Sequence, residues 1–95
     1  MKKNKLYQSI ADSLLETCLE HNITFIHKVM IEITKDQKIK HQELYNYLLE
    51  EIGMTFGVDS KLITNMVEIT NGQFSLLLIE GYDRNNNIIS LKNLK

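Results

Sequence analysis

The sequence predicts an α+β fold that is mainly helical and ends in a β-hairpin. Two observations predict it: apolar residues recur at helical spacing in several stretches, and two short apolar runs joined by turn residues close the chain. No linker rich in Gly, Ser or Pro interrupts the 95 residues. We therefore expect one domain over residues 1–95, with residues 1–4 as a frayed terminus.

The amino-acid composition and the net charge limit which partners and which location fit this protein. Apolar residues make up 43% and charged residues 24% of the chain, with a formal net charge of −1. Such a charge argues against strong non-specific attraction to phosphate, because that attraction scales with the number of Lys and Arg contacts. No apolar stretch is long enough to cross a membrane. The lone Cys18 fits a reducing compartment, so we expect a cytoplasmic protein.

Residues 5–21 form the clearest amphipathic helix. Leu6, Ile10, Leu14 and Cys18 share one stripe, a second apolar row lies beside it, and acidic residues fall opposite. Asn22 is a suitable terminator. Because the doubled apolar rows are wider than a single packing seam needs, we expect this helix to form a homodimer interface.

Residues 23–34 fit two structures. Val29, Ile31 and Ile33 alternate with other residues as in a strand, and the stretch is rich in β-branched residues. A helix also fits, with an unbroken apolar face and Asn22 as its cap. We favour the helix. A strand here would instead give a three-stranded α+β sheet.

Two further helices are predicted on either side of a tight corner. Residues 41–56 carry an apolar row through Leu44, Leu48 and Ile52. Asp59 and Ser60 are candidate caps for a helix that ends at Asn71-Gly72. Residues 35–40 make a connector or a very short strand before the first of these helices.

The predicted hairpin covers residues 73–94, with Asp83–Asn87 at its tip. Its first strand is apolar on both faces over residues 76–79. We therefore expect that strand to be covered on both sides or to lie against a partner.

The corner resembles the helix-turn-helix of bacterial and phage repressors. Small residues stand at the fifth and ninth places of a window from Leu49, namely Gly53 and Gly57. The family's apolar places are filled by Ile52, Phe56, Val58, Ile63 and Met66. With residues 38–40 as a first strand and the hairpin as a wing, the resemblance extends to the winged-helix form.

This resemblance implies a small, dimeric transcriptional regulator that binds double-stranded DNA. The implied DNA-binding residues are Ser60, Lys61, Thr64 and Asn65 on the second helix and Arg84 on the wing. Asn65 would pair with adenine and Lys61 with guanine or phosphate, whereas Ser60 and Thr64 would contact phosphate.

Other interpretations fit the same residues. An ordinary corner between two packed helices needs the same glycines. A protein-binding module or inhibitor is an alternative. It would use the apolar hairpin or an acidic helical face in residues 49–70, where Glu50, Glu51, Asp59 and Glu68 stand against Lys61 alone. We expect neither catalysis nor a cofactor, because the motifs of nucleophilic and phosphate-binding sites are missing. Cys18, His21 and His27 lie near one another in the sequence but lack the further ligands that zinc requires.

Overall fold

The structure is a computed structural model that describes residues 5–37, 39–68 and 73–92. Its elements, in chain order, are helix α1 (Lys5–Glu20), strand β1 (Phe25–Thr34), helix α2 (His41–Glu51) and strands β2 (Lys61–Val67), β3 (Phe74–Tyr82) and β4 (Ile88–Lys92). Neither of the two described helices is long and apolar enough to cross a membrane.

The four strands form one mixed sheet in the order β2-β1-β3-β4. β1 and β2 run parallel, and α2 makes the crossover that a parallel pair requires. β1 pairs with β3, and β3 with β4, in antiparallel fashion. β1 therefore lies in the interior of the sheet, whereas β2 and β4 are its edges.

Both helices cover one face of this sheet. Val29, Ile31 and Ile33 of β1 are fully buried there, together with Leu44 and Leu48 of α2 and Ile10 and Leu14 of α1. The rings of Tyr7 and Tyr47 meet edge to face with centroids 5.8 Å apart and join the two helices. The fold is thus a two-layer α+β arrangement with one hydrophobic core.

Helix α1 confirms the prediction for residues 5–21, and it ends as the sequence indicates. Asn22 adopts a left-handed φ of 60°, and the amide of Ile23 donates to the Cys18 carbonyl at 2.9 Å. The first apolar stripe of the helix packs inside the chain, whereas in the second row Leu15 is half-buried and Leu19 is 80% exposed. The protein's own core therefore occupies most of this apolar surface, and the homodimer interface expected on the helix stays a prediction.

The preference for a helix over residues 23–34 is wrong, because this segment is β1. Residues at alternate positions of β1 lie on opposite faces of the sheet and differ in burial. Ile31 and Ile33 are fully buried, while Met30 and Glu32 between them stay half-exposed. Pairing with β2 on one side and β3 on the other supplies partners for the backbone N–H and C=O groups of β1. The β-branched residues of the segment favour that extended conformation.

The prediction of a mainly helical, winged-helix-like fold is also wrong. Strand accounts for 37% and helix for 33% of the structure, and the segment expected to be the second helix of the corner is β2. Asp59 and Ser60 therefore do not cap a helix. The predicted helix end at Asn71-Gly72 lies outside the described residues, as do residues 1–4, Lys38 and residues 93–95.

The glycines of the supposed corner have other roles. α2 ends at Glu51, earlier than the predicted 56, and the chain reaches β2 through turns. The helix-turn-helix resemblance implies that the ninth residue of the window, Gly57, leaves the helical region with a positive φ, but Gly57 does not adopt that conformation. A Cβ there would lie 3.3 Å from the ring of Phe25, so Gly57 makes room for that ring. A Cβ on Gly53 would lie 2.6 Å from the Leu49 carbonyl oxygen.

The C-terminal hairpin is confirmed by β3 and β4, with its turn at residues 83–87. The Asp83 carboxylate accepts hydrogen bonds from the amides of Asn85 and Asn87 at 2.8 and 2.9 Å. These bonds stabilise the charged carboxylate and lower the pKa of Asp83. Asn86 takes the left-handed φ of 63° that such a turn needs.

Candidate binding surface

The face of the sheet opposite the helices, which we call the open face, carries an ordered arrangement of side chains. Paired residues on neighbouring strands project to the same side of a sheet. The register therefore places side chains from β2, β1 and β3 in rows across it.

The middle row is apolar. It consists of Ile63 on β2, Met30 on β1 and Leu78 on β3, which are direct partners in the ladder. All three side chains are half-exposed, whereas their neighbours Leu62, Val29 and Ile79 on the helical side are buried. Apolar side chains therefore continue across three strands on a face that neither described helix covers.

Charged rows flank the apolar row on both sides. The basic row holds Lys61, Lys28 and Glu80, and the acidic row holds Asn65, Glu32 and Ser75. Lys28 and Glu32 are both half-exposed on this face. The two flanking rows thus carry net charges of opposite sign. The basic row has one more lysine than glutamate, and the acidic row has one glutamate and no lysine.

Two of the sequence-predicted DNA-binding residues lie on this face. Lys61 and Asn65 are both exposed, on the same side of β2. Lys28 adjoins Lys61 across the parallel ladder, and sequence reasoning missed it. The expected set of five is not brought together, however, because the other three lie elsewhere.

Those other three have distinct environments. Ser60 is only 5% exposed, and its hydroxyl donates a 2.5 Å hydrogen bond to the Ile26 carbonyl oxygen. Thr64 pairs with the fully buried Ile31, so it projects toward the helical side. Arg84 is exposed on the hairpin turn, beyond the end of β3.

Acidic side chains are concentrated on the opposite side of the molecule. The exposed carboxylates of α1 and α2 are Asp12, Glu16, Glu20, Glu43, Glu50 and Glu51. Of the acidic residues expected to form one helical face, Glu50 and Glu51 therefore lie in the helical layer, whereas Asp59 and Glu68 are exposed just before and just after β2. A polyanion would meet less repulsion on the sheet side.

The outer edge of β2 is partly closed by a side chain. His41 Nε2 lies 2.8 Å from the Leu62 carbonyl oxygen. Since a carbonyl oxygen only accepts, this nitrogen carries the proton and donates it to the bond. His41, at the first turn of α2, thereby ties the crossover helix to the edge strand.

A separate cleft of about 350 Å³ lies between the end of α1 and the hairpin turn. Cys18, Asn22, Asp83 and Arg84 are among its lining residues. Burial raises the pKa of the Cys18 thiol to about 11, so the thiol is protonated near neutral pH and is a poor nucleophile. Asp83 is already engaged by its own turn. The residues that the structure describes hold no cluster of three or more potential metal ligands.

The class that fold and surface define is a two-layer α+β domain with one sheet face that neither described helix covers. Comparison of the chain with protein-family models, with curated proteins and with solved structures gives no match. The surface is therefore interpreted from its own geometry and chemistry.

Proposed function

We propose that this protein is a binding module without catalytic activity, and that it binds a protein partner on the open face. The observation that carries this proposal is the apolar row formed by Ile63, Met30 and Leu78. Burying such side chains contributes roughly 25 cal/mol per Å² of apolar surface. An apolar centre with a charged margin is also the usual composition of a protein interface.

Site-specific photo-crosslinking tests this proposal. A photoreactive amino acid replaces Ile63 in the apolar row, and a matched control places it at Met54, which is 95% exposed in the turn after α2. We expect a defined protein adduct from position 63 and none from position 54. Adducts that are absent, or equal at the two positions, would contradict the proposal.

DNA binding through the same face is a second candidate. One observation favours it: Lys61 and Asn65 are exposed on one side of β2, with Lys28 beside Lys61. Titration of double-stranded DNA at low and moderate salt tests it, with Lys61→Ala compared with Lys5→Ala on α1. If Lys61 contacts phosphate, its loss reduces the slope of the logarithm of the binding constant against the logarithm of the salt concentration by about 1. No binding at low salt would exclude this candidate.

A further inference from the structure

We infer that the partner of the open face is a second copy of this chain, bound face to face about a twofold axis; this rests on the proposed function. The inference comes from the order of charges along β1. Lys28, Met30 and Glu32 occupy alternate positions, so a cation, an apolar side chain and an anion follow one another along one face. When a second copy of this strand runs in the opposite direction across the interface, the cation of each copy faces the anion of the other.

A twofold axis along the apolar row brings complementary groups together. It sets Met30 against Met30 of the partner subunit and exchanges the two flanking rows. Lys28 of each chain then faces Glu32 of the other, so the twofold axis creates this contact twice. Such an interface is isologous, as expected for a closed dimer.

The neighbouring strands support the same axis. On β2 it sets Ile63 against its own copy and Lys61 against Asn65, so no like charges oppose each other there. On β3 it sets Leu78 against its own copy and Glu80 against the buried position of Ser75. On the edge strand β4 it sets the exposed Lys92 against its own copy, which is the one like-charge contact of this arrangement. The apolar row thus becomes the buried centre of the interface, and the lysines and glutamates become its margin.

The other twofold axis in the plane of the sheet, parallel to the strands, is less favourable. It would exchange β1 with β3 and β2 with β4. Lys28 would then face Glu80, but Ile63 would lie opposite Lys92, its counterpart in the same row on β4. Covering an apolar side chain with an ammonium group loses apolar burial and costs desolvation, and this contact would occur twice. The axis along the apolar row opposes Lys92 only to its own copy, at the exposed edge strand, where salt screens the two charges. We therefore assign the axis along the apolar row.

Charge reversal at the paired positions tests the inference. In Lys28→Glu both copies present only glutamates at positions 28 and 32, and in Glu32→Lys they present only lysines. Each variant alone therefore opposes like charges twice across the twofold axis. We expect light scattering coupled to gel filtration to give twice the 11.1 kDa chain mass for the wild type and the single mass for each variant.

An equimolar mixture of the two variants is the decisive sample. In the mixed pair the two substituted positions face each other with opposite charges, and the unchanged Glu32 of one variant faces the unchanged Lys28 of the other. Because both contacts then join a glutamate to a lysine, the dimer mass should return. A variant that had failed to fold would not regain it. The matched control is Glu16→Lys, an exposed reversal on α1 that should leave the dimer intact.

The outcomes separate this inference from the proposed function. A wild type that keeps the single-chain mass over the whole concentration series overturns the dimer, as do single variants that remain dimeric or a mixture that stays monomeric. If position 63 nevertheless crosslinks to a different protein, the open face still binds a protein and only the identity of its partner was wrong. Absence of both dimer and crosslink overturns both.

Discussion

The hydroxyl of Ser60 and the carbonyl oxygen of Ile26 are joined by a 2.5 Å hydrogen bond between the turn before β2 and the start of β1. The same hydroxyl accepts a hydrogen bond from the Gly57 amide at 3.0 Å. Ser60 therefore fixes the point at which the chain returns from α2 and enters the sheet, and it satisfies two backbone groups in a buried position.

Replacing this hydroxyl should destabilise the fold. In Ser60→Ala the Ile26 carbonyl and the Gly57 amide both lose their partner where water has little access. Leaving a buried polar group unsatisfied costs about 1–3 kcal/mol. Chemical denaturation of Ser60→Ala should show a loss of that order in the free energy of unfolding. Ser90→Ala, exposed on β4, is the control and should stay near the wild type. Equal stability of the two variants would contradict this role.

Gly81 and Gly57 should respond differently to alanine. A Cβ on Gly81 would meet the Phe25 carbonyl oxygen and lie 2.6 Å from Ile23 Cγ2, near the end of β3 where that strand is paired on both sides. Overpacking of this kind costs typically about 1–3 kcal/mol. A Cβ on Gly57 would meet only the ring of Phe25, at 3.3 Å. We expect Gly81→Ala to lower the melting temperature clearly more than Gly57→Ala does. The reverse order would contradict the close approach at Gly81.

Phe56 should be among the most sensitive core positions. Its side chain is fully buried and meets the ring of Tyr45 edge to face at 5.6 Å. Phe56→Ala leaves a cavity and should cost about 3–5 kcal/mol in the free energy of unfolding. Met54→Ala, two residues away and 95% exposed, should change it by about 0.5 kcal/mol or less. A mild effect at Phe56 would mean that the turn after α2 does not anchor the core.

Local signals predicted α1 and the hairpin correctly because their ends are encoded nearby. Asn22 terminates the helix through its own left-handed conformation, and Asp83 builds the turn through bonds to residues within four positions. β2 is different, since its partner β1 is more than 30 residues away in the sequence. Its apolar residues fit a helix equally well, and only pairing with β1 selects the strand.

The residues of the candidate surface also divide into those that a local pattern predicts and those that depend on pairing with a distant strand. Lys61 and Asn65 are four residues apart, a spacing that puts two side chains on one side of either a helix or a strand. Their exposure was therefore predicted correctly from an incorrect secondary structure. Ser60 and Thr64 share that spacing, but in a strand they cannot project to the same face as Lys61. The role of Met30 and Leu78 depends on sheet order, which no local pattern contains.

Cys18 should make stability depend on pH in the alkaline range. Burial raises its thiol pKa from 9.0 to about 11 in the folded chain, so the unfolded chain loses this proton first as pH rises. Its contribution is therefore complete below about pH 9 and is lost as pH rises toward 11, by about 2–3 kcal/mol at the limit. Urea denaturation from pH 7 to 11 measures it. Cys18→Ala controls for other titrating groups and should show a shallower decline. Parallel declines in the two proteins would contradict the buried, protonated thiol.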